Sequence, residues 1–120
     1  MLGFISNELN SIGVPYEFMR WTGAVSYPYV VGEYSEITAT NEDGFKESTM
    51  ILTGFTRGSW LELEQIKEKI QQHFPTAGGL RGNTEYGSVA IFYNGSYPID
   101  TGEAELKKIQ INLDVKEWRN

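Results

Sequence analysis

Apolar side chains recur along this chain with two periods, and the changes of period mark its elements. Leu2, Ile5, Leu9 and Ile12 fall on one helical stripe. Gly13 stands where a helix C-cap belongs and Pro15 forbids continuation, so the spacing predicts a short amphipathic helix over Leu2 to Ile12. Tyr16 to Trp21 alternates as a strand does, and Thr22-Gly23 closes it. Val25-Ser26-Tyr27-Pro28 predicts a turn or sheet margin, because Pro28 has no amide to give to a ladder. Tyr29 to Thr38, rich in β-branched and aromatic residues, predicts a long strand. Asn41-Glu42-Asp43-Gly44 predicts a tight turn, with Asp-Gly supplying the positive φ it needs. Phe45 to Arg57 returns as the third strand of a meander. Phe45, Thr49, Ile51, Thr53 and Phe55 share one of its faces, while Met50 and Leu52 fall on the other, a pattern suited to cover on both sides.

Ser59-Trp60-Leu61-Glu62 has the form of a capping box. Behind it Trp60, Leu63, Ile66, Ile70 and Phe74 form a continuous stripe at spacings of three and four, and Pro75 and Gly78-Gly79 stop the helix. Ala77 to Gly87 is Gly-rich and polar, and reads as an exposed loop or a short strand with a turn. Ser88 to Tyr93 predicts a strand, Asn94-Gly95 a hairpin turn, and Ser96 to Gly102 a second polar stretch. The last strand alternates most cleanly: Ile109, Ile111, Leu113 and Val115 point one way, and Gln110, Asn112, Asp114 and Lys116 the other. Phe18, Phe55, Trp60, Phe74 and Phe92 occupy patterned positions that predict a place in the core. The order is α-β-β-β-α-β-β, with room for one more short strand. It predicts an α+β fold: a single domain over residues 1–120, with an antiparallel sheet and two helices packed on one face.

Composition narrows the function classes. The 120 residues include no cysteine, which removes disulfides, thiolate nucleophiles and cysteine metal sites and suits a reducing compartment. The N-terminal segment lacks the pattern of a signal peptide, and no apolar run approaches the roughly 20 residues that cross a bilayer. A soluble, cytoplasmic chain is therefore expected, with no membrane partner. Net charge is −6 and the isoelectric point about 4.7. The ten basic residues are scattered, which argues against tight binding to phosphates, while an acidic surface suits DNA sliding past without sticking.

Catalytic patterns are weak. His73 sits in the last turn of the second predicted helix, where a cation favours the helix dipole, with no nucleophile beside it in sequence. Glu33, Glu36, Glu42, Asp43 and Glu47 surround one hairpin but lack the spacing of a calcium loop. Water at a turn tip would keep them ionised, which leaves a hydrolase little support. Ala77 to Asn83 lacks both the Gly-Lys-Ser/Thr ending of a P-loop and the spacing of a dinucleotide fold. No catalytic, metal or cofactor residue is assigned, and an enzyme is not expected.

Aromatic residues stand out instead: seven Tyr, six Phe and three Trp. Trp21, Tyr27, Tyr29 and Tyr34 lie close in sequence, with Trp118 near the C-terminus. Tyr and Trp near turns and strand margins exceed what one small core needs, and they are enriched in protein interfaces. Core and interface stand level for Trp21, Tyr27 and Trp118.

The element order, the Tyr-Pro-Tyr-Val-Val-Gly-Glu strand at residues 27–33, the strand ending in Phe55-Thr56-Arg57, the helix opening at Ser59-Trp60 and the terminal strand from Ile109 to Val115 carry a resemblance. Over nearly its whole length the chain resembles the tail completion, or tail terminator, proteins of long-tailed bacteriophages and prophages. The resemblance implies a structural subunit that forms a ring, commonly a hexamer, on the head-proximal end of the tail tube. That ring would stop tube polymerisation and meet the head–tail connector, with DNA passing only as cargo through an acidic lumen. Assembly in the host bacterial cytoplasm and a final place in the virion tail follow from it. The hairpin from Asn41 to Lys46 and the loop from Ala77 to Gly87 are then expected to make contacts. The candidate interface residues are Trp21, Tyr27, Tyr29, Glu42, Asp43, Arg81, Tyr86 and Trp118. Two alternatives remain at this stage: another head–tail connector or minor tail component, and a small-ligand-binding α+β module with aromatics lining a pocket between sheet and helices.

Overall fold

A computed structural model describes residues 2–37, 45–84 and 87–119 of the chain. The predicted Asp-Gly turn at residues 41–44 lies outside them. The elements run α1 (Leu2–Ser11), β1 (Tyr16–Phe18), β2 (Tyr29–Ile37), β3 (Phe45–Thr56), α2 (Trp60–His73), β4 (Leu80–Thr84), β5 (Gly87–Ile99) and β6 (Lys107–Arg119). The strands form one sheet in the order β1-β2-β3-β6-β5-β4. The α+β class stands, with two corrections.

The sheet is mixed, because β1 and β2 pair in parallel while every other neighbouring pair is antiparallel. β1 stops three residues short of the expected Trp21. The Met19 amide bonds to the Gly32 carbonyl at 2.7 Å, and Met19 then adopts φ 70°, which turns the chain off the sheet. Residues 19–28 carry it back to begin β2 in the same direction as β1. The sheet also holds six strands, since the Gly-rich stretch after α2 contributes β4.

β5 runs without a break through Asn94-Gly95, where a hairpin turn was expected. A bulge between Tyr93 and Gly95 absorbs the irregularity, and the Asn94 amide reaches across to Asp114 Oδ1 at 3.1 Å. The 13-residue strands β5 and β6 give the molecule its long axis, with extents of 48 × 24 × 23 Å.

Both helices lie on one face of the sheet, as the apolar patterns require. Ile5 and Leu9 of α1 and Leu63, Ile66 and Ile70 of α2 join Met50, Leu52, Ile91, Ile111 and Leu113 in one buried core. α1 ends in a Schellman motif: Val14 N–H bonds to Leu9 O at 3.0 Å and Gly13 N–H to Asn10 O at 3.1 Å. Gly13 sits at φ 78°, where a Cβ would be strained, and Val14 and Leu9 close the motif as a buried pair. At the start of α2 the Ser59 amide donates to Glu62 Oε1 at 3.1 Å, holding the first turn. The helices are tied to each other where His73 Nε2 meets Glu8 Oε2 at 2.6 Å.

The sheet face away from the helices is covered by neither of them and is termed the open face. Alternation puts Met50 and Leu52 of β3 inward and Thr49, Ile51, Thr53 and Phe55 on the open face, half-buried. This corrects the expected inward set. Of its five members only Phe74 is in the core. Phe55 and Phe92 are half-buried on the open face. Phe18 ends β1 and is 37% exposed, and Trp60, the first residue of α2, is 47% exposed.

Tyr16 packs across the β2 backbone so closely that a Cβ on Gly32 would lie 2.7 Å from its ring and from its hydroxyl. Burial pushes the Tyr16 phenol up to about 12 from 10.0, because the phenolate would lose its water. A pKa raised in the folded state contributes stability that is complete below pH 10 and is lost as pH rises through 12. Tyr16→Phe is expected to flatten that decline by on the order of 1 kcal/mol, as read from urea unfolding at pH 9 and pH 11.5. Parallel declines in the two proteins would refute the assignment.

Candidate protein-interface site

The open face is aromatic at one end. Tyr29 and Phe55 are register partners on β2 and β3, and their rings stack with centroids 5.2 Å apart. Trp21 lies 5.2 Å from the Tyr29 ring, and Tyr27 lies 5.5 Å from it, both tilted. Trp21 comes from the 19–28 loop, which is held down by Glu17 of β1. The Glu17 carboxylate accepts from the Thr22 amide at 2.6 Å and from the Thr22 hydroxyl at 2.8 Å. The Trp21 indole N–H donates to the Ala24 carbonyl at 3.2 Å.

Two cations rim this ladder. The Arg57 guanidinium lies over the Tyr27 ring at 5.7 Å, and Lys108 Nζ lies 5.7 Å from the Phe55 ring. Arg57 Nε donates to the Tyr27 hydroxyl at 3.4 Å, and its Nη2 lies 3.8 Å from Glu103. Its bond to Tyr27 and the nearby carboxylates raise the Arg57 pKa above its already high ordinary value. Burial, followed by the neighbouring Tyr27, raises Tyr29. Tyr27 is exposed and Trp21, Tyr29 and Phe55 are half-buried, so rings and guanidinium together form a partly solvent-facing aromatic surface.

A second group of expected residues meets at the far end of the sheet. Trp118 and Ser88 are register partners, as are Ser88 and Asn83. Arg81, Gly82, Asn83, Ser88, Val89 and Trp118 line an open groove of about 470 Å³. Lys108 and Trp118 are ten residues apart on one strand, so the groove and the ladder are separated by roughly 33 Å.

The expected interface set is thus divided by the structure. Trp21, Tyr27 and Tyr29 come together, Arg81 and Trp118 come together elsewhere, and Glu42, Asp43 and Tyr86 lie outside the described residues. Phe55, Arg57, Lys108 and Glu17 complete the first group without having been expected in it. The alternation of β3 already placed Phe55 on a face with Thr49 and Thr53. What a single sequence lacked was the register joining that face to Tyr29. Among the described residues no group of three or more His, Asp or Glu side chains is placed to hold a metal ion. Nor is any helix among them long and apolar enough to cross a membrane. No family model and no curated protein matches the chain.

Proposed function

We propose that this chain is the subunit of a ring that caps the head-proximal end of a bacteriophage tail tube, ends tube growth and joins tail to head. It acts by assembly and not by catalysis, without a cofactor. The observation that carries this reading is the ladder of Trp21, Tyr27, Tyr29 and Phe55, rimmed by Arg57, on a sheet face that neither helix covers. Trp, Tyr and Arg are the side chains that concentrate binding energy in protein interfaces. The element order on which the resemblance rests is consistent with it, and the net charge of −6 suits a lumen that DNA traverses without adhering. Assembly would take place in the host bacterial cytoplasm and end in the virion tail.

Mass in solution, measured by sedimentation over a wide concentration range with and without purified tail tube protein, tests the reading. Rings alone, or rings formed only with tubes, are the expected result. Binding to a head–tail connector but not to tubes would move the chain to a neighbouring place in the virion. A strict monomer indifferent to both would overturn the reading in favour of a small-ligand module. The groove beside Arg81 and Trp118, about 470 Å³, is of a size that such ligands fill.

A further inference from the structure

Strand order leaves the sheet with two open stretches. On one border β1 covers only the beginning of β2. Val30 N–H bonds to Pro15 O at 2.8 Å and Gly32 O accepts from Met19 N–H at 2.7 Å, so both residues turn their backbone groups toward β1. Alternation turns those of Tyr34 and Glu36 the same way, past the end of β1, and no described backbone group meets them. On the other border the Tyr93 amide points outward to Phe74 O at 2.8 Å. The same alternation aims Ile91 and Val89 at β4 and leaves the backbone groups of Arg81 and Asn83 facing out, again without a described partner.

These stretches lie level with each other. Glu36, Ser48, Val115, Ile91 and Leu80 form one row across the sheet, and Ile37, Glu47, Lys116, Ala90 and Arg81 form the next. β2 and β4 also run in the same direction, since the pairings between them are all antiparallel and even in number. A second copy displaced sideways by one sheet width would lay its β4 along the first copy's β2 as a parallel pair. Outward groups at every second residue on both strands are what a parallel ladder uses, and β1 with β2 shows this sheet accepting one.

Side chains agree with the backbone. A slide of two residues along the strand from that level sets Arg81 opposite Ser35, and the guanidinium then lands on the open face diagonal to Glu33. Arg81 and Glu33 are both exposed, and neither has an ion-pair partner among the described residues. The distal half of β5 is a poorer border. Its alternation turns Pro98 outward, where no N–H exists to donate.

We infer that the chain assembles head to tail through one continuous sheet, the β4 border of each copy pairing in parallel with the distal β2 border of the next. Such a contact joins two different borders, so it propagates, and the rotation contributed by sheet twist allows it to close as a ring. The inference rests on the ring reading but specifies its seam.

The chain has no cysteine, so introduced thiols are unambiguous reporters. In a Ser35→Cys, Asn83→Cys double variant, a short bis-maleimide should yield a ladder of covalent oligomers ending in one closed species, with or without tubes. Each single variant alone should give no covalent dimer, and an equimolar mixture of the two should give dimers and nothing larger. Arg81→Glu should raise the concentration for half-assembly at least tenfold, and adding Glu33→Arg should restore it. Dimers from a single variant, or rings by sedimentation without the covalent ladder, would overturn the seam and leave the ring reading standing. Monomers under every condition would overturn both.

Discussion

Phe74→Ala is expected to remove about 3–5 kcal/mol of folding stability. Phe74 is the C-cap of α2 and is fully buried. Its amide bonds to Ile70 O at 2.9 Å, and its carbonyl accepts from Tyr93 N–H at 2.8 Å. The backbone is therefore held from the helix on one side and from β5 on the other. Truncation would leave a cavity that neither element can move to fill, and it is the residual cavity that sets the upper end of the cost. A domain of this length has roughly 6–18 kcal/mol in total, so the loss is a large fraction of it. Urea unfolding measures it, with Trp60→Ala as the control. Trp60 is half-exposed at the first position of the same helix, and its truncation is expected to cost under about 1 kcal/mol. Equal losses at the two positions would mean that the core has been placed wrongly.

The second large effect is expected on binding. A Trp21→Ala, Tyr27→Ala double variant should weaken the proposed attachment to tail tubes by about 2–4 kcal/mol, or ~30- to 1,000-fold, while its thermal unfolding stays close to that of the parent. Both rings stand on Tyr29 from outside the core, so removing them takes away flat apolar surface without opening a cavity. Tyr29 is left in place because its stack with Phe55 joins two strands. Glu17→Ala should produce a smaller loss of the same kind. It frees Thr22, and with it the loop that presents Trp21, so the cost of ordering that loop would fall on the binding step. Undiminished binding by the double variant would show that the ladder is not the contact surface.

Reading periodicity located the helices and the terminal strand well, because each buries one face against a single layer. Leu63, Ile66, Ile70 and Phe74 fit a helix and nothing else, and Ile109 to Val115 alternate without a fault. Legibility failed where one local signal serves two structures. Asn94-Gly95 suits a tight turn, yet here it accompanies a bulge in a strand held on its inner side by β6. Leu80 to Thr84 carries three polar side chains and a glycine in five residues, and became a strand only because β5 offered it a ladder. The parallel pairing of β1 with β2 depends on the Met19 amide finding the Gly32 carbonyl, a contact between distant residues that no local pattern encodes. Of the candidate interface, the aromatic types were legible. Their division between two ends of the sheet was not, because it follows from strand order.

That order has a consequence for how the protein is made. Of the six strands described, β6 leaves the ribosome last, yet it lies between β3 and β5 and supplies Ile109, Ile111, Leu113 and Val115 to the core. Until it emerges, the β2–β3 hairpin and the β4–β5 hairpin are separate pieces, each with an unpaired border, and α2 lacks the part of its floor that β6 supplies. Pairing Lys46 with Glu117 closes a loop of some 70 residues, the kind of distant contact that slows folding. The nascent chain is therefore exposed to unwanted strand pairing until β6 has been made, and a copy that stops short of residue 107 cannot join its two halves at all.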